Sequence, residues 1–140
     1  MNSLLAQRRF TPTMKLLFVC SRNRLRSPTA EAIFSAYEGI EALSAGTGPD
    51  AMTPVSADLI EWADLVFAME RVHKRRLQER FRPQLRAKRL IVLGIPDNYA
   101  YMEPDLVRIL ESAIRPYLAG RKAAAPRTPA NLNPQPPNRA

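Results

Sequence analysis

The sequence predicts an α/β fold, a small doubly wound sheet of four parallel strands with helices on both faces. Three observations predict it. Four short apolar runs recur along the chain, and the clearest of them is continuous, as in a strand buried on both faces, rather than alternating. Segments with helical spacing stand between them. The chain has 140 residues, 46% of them hydrophobic, enough for one ordinary domain with a core of its own.

The elements follow in order. Leu16-Leu17-Phe18-Val19 is the first strand. Beyond a short loop, Ala30, Ile33, Phe34 and Tyr37 fall at i, i+3, i+4 and i+7 and mark one helical face. Ile40 to Ala45 is the second strand, closed by Gly46. Thr53-Pro54 has the form of an N-cap followed by a proline at the first helical position, and opens a helix running to Trp62. Leu65 to Met69 is the third strand, and a strongly basic helix covers about Arg71 to Arg80. Leu90 to Leu93 is the fourth strand. A last helix runs from Pro104 to about Tyr117, with Leu106, Ile109, Leu110 and Ala113 inward and Pro116 distorting its final turn. A β-α order repeated four times gives a Rossmann-like, three-layer arrangement. In such sheets ligands sit beyond the carboxyl ends of the strands.

The expected domain is 14–119. The arm 1–13 and the Pro-rich tail 120–140 have little to bury and are expected to be disordered. The formal charge of +8 suggests a nucleic-acid binder until it is divided along the chain. Residues 14–119 hold 15 basic and 13 acidic side chains, a net of +2, so most of the excess lies in the tails. No nucleic-acid partner is expected. No apolar run approaches the roughly 20 residues that span a bilayer, and the first ten residues lack the layout of a secretory signal. One cysteine makes no internal disulfide, which points to the cytoplasm. One cysteine and one histidine leave no zinc-type ligand cluster, so neither metal nor cofactor is expected.

The chemistry concentrates in the loop after the first strand, Cys20-Ser21-Arg22-Asn23-Arg24-Leu25-Arg26-Ser27-Pro28. A cysteine ends the strand, an arginine follows six residues later, and Ser27-Pro28 marks the first turn of a helix. Successive backbone N–H groups in such a turn converge on a tetrahedral oxyanion, and the helix N-terminus adds partial positive charge. Arg26 closes over the anion as a planar fork. The thiolate is the nucleophilic form of cysteine, and a field that holds an anion favours it. The competing reading makes Cys20 a small buried hydrophobe, with Arg22, Arg24 and Arg26 as solvated charges.

The pattern Cys-x5-Arg-Ser-Pro at the end of a first strand resembles the signature of the low-molecular-weight protein tyrosine phosphatases, and in particular their short bacterial members. The resemblance covers about Met14 to Tyr117. It extends to Ser44-Ala45-Gly46, to Ala63-Asp64-Leu65 with Met69-Glu70 and His73, and to Ile95-Pro96-Asp97. It implies that Cys20 attacks phosphorus and forms a phosphocysteine, that Arg26 and the loop residues Ser21, Arg22, Asn23, Arg24 and Leu25 surround the phosphoryl group, and that Ser27 hydrogen-bonds the sulfur. Asn23 stands at the family's asparagine, a residue that tolerates left-handed backbone and holds the loop's shape. Asp97 is the implied general acid, beyond the fourth strand and on the same sheet edge as Cys20. Tyr99 and Tyr101 are candidates for an aromatic wall that receives a phenyl ring, with packing against the core as the alternative. Glu103 and Asp105, beside Pro104, read as acids at a helix start.

The sequence departs from the family in three places. Asn98 follows Asp97 where the family has proline. Leu25 stands where many relatives carry a second, protective cysteine. The stretch between Gly46 and Leu65 is much shorter than in the longer members, which removes part of the wall around the site. His73 reads as a surface or structural histidine, and the helix carrying Arg71, Lys74, Arg75, Arg76 and Arg80 as a solvated face, with docking of an acidic partner as its alternative. The expected partners are a phosphorylated protein or a small aryl phosphate, with inorganic phosphate or sulfate able to fill the loop. The competing functions are a non-catalytic phosphate-binding or phosphoprotein-binding module on the same fold and an arsenate reductase. The latter normally relays electrons through further cysteines, which this chain lacks.

Overall fold

The computed structural model describes residues 12–124. Four strands, β1 (Met14–Cys20), β2 (Ile40–Gly46), β3 (Leu65–Ala68) and β4 (Arg89–Val92), form one sheet in the order β2-β1-β3-β4, every pair parallel. The chain winds outward from β1 to β2, then crosses to the other side for β3 and β4. The winding therefore reverses at β1, and the crevice for a ligand opens beyond its carboxyl end. Cys20 is the last residue of that strand.

Alternate residues of the central strands feed two cores. Leu16, Phe18 and Phe67 pack with α1 (Arg26–Phe34) and α4 (Pro104–Ile114) on one face. Leu17, Val19 and Val66 pack with α2 (Ala57–Trp62) and α3 (Arg71–Leu85) on the other. Burial on both faces explains why β1 reads as an unbroken apolar run, since Leu16 to Val19 are each 0% exposed.

Four expectations are corrected. The second helix begins at Ala57, not at Thr53-Pro54. Gly46 donates to Thr53 O and accepts from Val55 N at 2.9 Å each, which keeps residues 53–55 extended until Ser56 caps the helix through Leu59 N. The basic helix runs on to Leu85, with non-helical dihedrals at Phe81 just before Pro83. On α4 the inward stripe is Leu106, Leu110 and Ile114, spaced i, i+4 and i+8, while Ile109 is exposed. That helix stops at Ile114, and Arg115–Tyr117 form a 3-10 turn around Pro116.

The chain continues past the expected boundary at 119. Ala124 N donates to Ala36 O, and Glu38 N donates to Lys122 O. Arg121 bonds the carbonyls of Pro12, Gly39 and Leu118. These bonds supply the backbone partners that composition alone did not reveal for 120–124. The rest of the expected arm and tail, 1–11 and 125–140, lies outside the described residues. No helix among the described residues is long and apolar enough to cross a membrane.

Candidate active site

In the loop after β1, four carbonyls are tied to segments outside the turn. Cys20 O accepts from Thr47 N at 2.9 Å, Ser21 O from Gly48 N at 2.8 Å, and Arg22 O from Met52 N at 3.1 Å. Leu25 O takes both Thr29 N and Thr29 Oγ1. With these oxygens held by the segment after β2 and by α1, the peptide N–H groups are left for the inside of the turn. None of the N–H groups of residues 21–25 donates to a backbone acceptor among the described residues. The first turn of α1 adds to this, having neither a side-chain cap nor an acidic residue. Asn23 takes φ 58°, in the left-handed region expected of it. Gly46 makes the close approach possible, since a Cβ there would lie 2.4 Å from Ser21 O.

Behind the loop a directed chain of hydrogen bonds ends on the sulfur. Glu31 is acceptor-only when ionised, so Ser44 Oγ donates to it at 2.5 Å. Ser44 Oγ then accepts from Asn23 Nδ2 at 2.9 Å, and the second Asn23 N–H goes to Ser27 Oγ at 3.1 Å. That orients the Ser27 hydroxyl hydrogen toward Cys20 Sγ, 2.8 Å away. Asn23 and Ser27 are 5% and 0% exposed and face this network rather than the cavity. They hold the cysteine and the loop's shape instead of lining the ligand space.

Arg26, 3% exposed, is fixed from two directions. Its Nη1 donates to Glu70 Oε1 at 2.8 Å and to Ile95 O at 2.7 Å, consuming both hydrogens of that nitrogen. The Nε–Nη2 edge remains, the edge that binds two oxygens side by side. Asp97 Oδ1 lies 3.7 Å from Nε, beyond hydrogen-bond reach. Asp97 is exposed and comes from the loop beyond β4, so both strand-end loops converge on one place. Cys20, Ser21, Arg22, Arg24, Leu25, Arg26 and Asp97 line a single cavity of about 710 Å³.

The tyrosines are placed otherwise. Neither is among the residues lining that cavity. Tyr99 packs against the α1/α4 core, and Tyr101 is 52% exposed in a turn. This matches the packing alternative for Tyr99. Glu103 Oε1 accepts from Ala100 N, and Asp105 pairs with Arg108 one turn on, so both are engaged locally. Among the described residues no group of His, Cys, Asp and Glu is arranged to hold a metal ion.

His73 is not on the surface; it is 1% exposed. Its Nδ1 accepts from Glu70 N at 3.0 Å, so the proton of the neutral ring sits on Nε2. Nε2 then donates to Ser21 Oγ at 2.9 Å, which leaves the Ser21 hydroxyl hydrogen free to point into the cavity that Ser21 lines. Burial first, and the Arg26 charge second, push the His73 pKa down to about 4 and keep the ring neutral. Ser44 and Glu70 enter the sequence reading only as members of the resembling motifs, with no role assigned, and Glu31 does not enter it as a site residue. Their common signal is position at or beside strand ends and on the first helix, which acquires meaning only once the sheet is assembled.

A model of the low molecular weight phosphotyrosine protein phosphatase family matches residues 15–57, the segment holding β1, the Cys20 loop, α1 and β2. No curated protein matches the chain. Several solved structures do. The tyrosine phosphatase Wzb from Escherichia coli K30, in complex with phosphate, is 21% identical with a TM-score of 0.59, covering 75% of this chain and 96% of that one. The YwlE arginine phosphatase from Geobacillus stearothermophilus is 21% identical with a TM-score of 0.60, covering 76% and 94%. The low molecular weight protein tyrosine phosphatase from T. tengcongensis is 26% identical with a TM-score of 0.55, covering 72% and 92%. The likenesses at 21% establish the fold, and the matched segment carries the Cys20 loop itself. Over the rest of the chain the likeness to these phosphatases is one of fold.

Proposed function

We propose that the protein is a phosphomonoesterase that hydrolyses aryl phosphates, phosphotyrosine among them, through a phosphocysteine on Cys20. One observation carries the reading. Cys20, Arg26 and Asp97, from two loops far apart in sequence, line the same cavity at the carboxyl edge of the sheet, over a cradle whose carbonyls are turned away.

In the proposed first step the Cys20 thiolate forms a bond to phosphorus as the ester P–O bond breaks, and the Asp97 carboxyl gives its proton to the departing oxygen. Arg26, through its Nε–Nη2 edge, and the loop amides hold the equatorial oxygens, where charge spreads in a loose transition state. In the second step the Asp97 carboxylate takes a proton from water. The water oxygen bonds to phosphorus, and the S–P pair returns to sulfur, where the Ser27 hydroxyl receives it. Atoms and electrons balance without a metal or redox partner. Family solved structures in complex with phosphate and sulfate support occupation of the loop by these anions. Relatives described as tyrosine and as arginine phosphatases stand equally near in fold, so the leaving group must be argued from this chain's own residues. A reactive single thiol with no protective neighbour fits a reducing, cytoplasmic setting.

The test is hydrolysis of p-nitrophenyl phosphate between pH 5 and 8 in the presence of a chelator. Turnover is expected, and Cys20→Ser abolishes it. A protein that binds phosphate yet turns over nothing at any of these pH values is a binding module, and the catalytic reading falls.

A further inference from the structure

The cavity wall that the tyrosines do not supply is built from cations instead. Arg22 and Arg24 are exposed and line the Cys20 cavity from within the loop. A second groove, about 780 Å³, lies beside it between α3 and the end of β4, lined by Arg71, Lys74, Arg75, Leu93 and Gly94 among others. No carboxylate lines that groove. The ion pairs among the described residues are Arg26 with Glu70, Arg26 with Asp97 and Arg108 with Asp105, so none neutralises the loop or groove cations. The acids that share these elements are accounted for. Glu70 is held by Arg26, Asp97 faces Arg26, and Glu79, one turn beyond Arg75 on α3, does not line the groove.

Two short links of chain join the residues that line the cavity and the groove. Arg71 directly follows Glu70, which anchors the clamping arginine, and Gly94 at the groove stands three residues before Asp97 at the cavity. Three residues of extended chain span at most roughly 10 Å. In addition, β4 is the edge strand of the sheet, paired only with β3 among the described residues, so its outer side is open to an extended segment.

We propose that this groove docks the acidic flank of a phosphoprotein substrate, an extended segment with Asp or Glu two to four residues from the phosphorylated side chain that sits over Cys20. The inference rests on the phosphatase reading and narrows it. A segment running from the cavity along β4 brings its carboxylates against Arg71, Lys74 and Arg75, while Arg22 and Arg24 receive residues next to the phosphorylated one. Complementary charge of this kind selects among partners and raises the encounter rate, and both effects weaken with salt.

The experiment uses the full chain and three phosphotyrosyl peptides differing only in acidic, neutral or basic flanks. Turnover of each is measured as kcat/KM, and binding to the Cys20→Ser variant by fluorescence anisotropy. The acidic peptide is expected to exceed the neutral one at least ~10-fold in both readouts at low salt, with the ratio shrinking at 0.5 M salt. In the triple variant Arg71→Gln, Lys74→Gln, Arg75→Gln the acidic-to-neutral ratio falls toward one. Equal kcat/KM for the three peptides, with each still hydrolysed, overturns the docking surface and leaves the phosphatase reading standing. No turnover of any peptide, with the acidic preference intact in anisotropy, overturns catalysis and keeps the surface. A ratio that survives the triple variant, or a small bisphosphate that competes as well as the acidic peptide, places recognition at Arg22 and Arg24 alone and overturns the groove.

Discussion

Replacing Gly46 by alanine tests whether the loop's position is set by the segment after β2. Gly46 ends β2 beside Cys20, and its backbone lies against the inner turn of the loop. A methyl group there would stand 2.4 Å from Ser21 O, 2.6 Å from Ala51 Cβ and 3.1 Å from Asn23 N. Acceptable contacts begin near 3.0 Å and are ordinary from 3.4 Å, so Ser21 O must retreat by about 0.6 to 1.0 Å. The retreat has nowhere cheap to go. Ser21 O is bonded to Gly48 N at 2.8 Å, and the neighbouring carbonyls are tied to Thr47 and Met52.

Overpacking of this kind costs roughly 1–3 kcal/mol of stability. In a domain of this size each kcal/mol moves Tm by about 4 °C, which gives a fall of about 4–12 °C. A displacement near 1 Å in a catalytic constellation costs about 100-fold in rate. Gly46→Ala is therefore expected to lower kcat/KM for p-nitrophenyl phosphate by about 100-fold while the chain remains folded by circular dichroism. Gly48 is the control. Its added Cβ would meet Ser21 O at 3.1 Å and the movable end of Asp50 at 3.2 Å, which a few tenths of an ångström relieve. Its loss should stay within about 1 kcal/mol and 10-fold in rate. Equal losses in the two variants, or wild-type rate and Tm in Gly46→Ala, would refute the account of how the loop is held.

Three other outcomes follow from the same geometry. Ser27→Ala removes the hydroxyl that faces Cys20 Sγ at 2.8 Å, a bond to a charged group worth about 1.5–3 kcal/mol. It should slow breakdown of the phosphocysteine about 10- to 100-fold, visible as a burst in rapid-quench assays; an unchanged kcat removes Ser27 from that role. Asp97→Ala should lower kcat by about 100-fold or more. It should leave inhibition by phosphate as strong or stronger, because a carboxylate 3.7 Å from Arg26 is gone. Weaker phosphate binding would make Asp97 a structural support of Arg26 instead. His73 has a folded pKa near 4, below the ordinary 6.5, so its contribution to stability is full above about pH 6.5 and is lost as pH falls through about 4. The window corresponds to roughly 3 kcal/mol. As the one histidine of the chain, its ring resonances report this directly, and titration near 6.5 would contradict the buried, Ser21-bonded ring.

What could be read before the fold was known follows from the range of the signal. The β1 run, the cysteine at its end and the arginine six residues on are local, and they appear in the structure where the spacing puts them. The left-handed Asn23 is also a local backbone demand, whereas the need for glycine at 46 comes from the Ser21 carbonyl, 25 positions away in the chain. The start of the second helix misled because Thr53-Pro54 is a good cap in isolation. Its peptide groups are claimed by Gly46, a partner outside any local window. His73 could be read only as a surface or structural histidine for the same reason, and the structural reading is the one that holds. It sits among cations on a basic helix, yet its ring turns inward, between Glu70 N on its own turn and Ser21 on the far loop. The tyrosines illustrate the limit from the other side. Their proximity to Asp97 in sequence says nothing of direction, and the core took Tyr99.

These placements bear on specificity together. In this chain the stretch after Gly46 is short, and its Thr47, Gly48 and Met52 N–H groups are spent on holding the Cys20 loop. It therefore shapes the phosphate cradle and contributes no wall to the cavity. The tyrosines beyond β4 do not fill that gap, and besides Cys20 and Ser21 the lining is Leu25, Asp97 and arginines. A phenyl ring alone finds one apolar side chain there, which is little area to desolvate. Binding energy for the leaving group must then come from outside the cavity, and the nearest surface with unspent interaction capacity is the basic side of α3 against the open edge of β4. A small aryl phosphate should accordingly show a high KM with this protein even where kcat is ordinary. Length and charge added to the leaving group should lower KM before they change kcat.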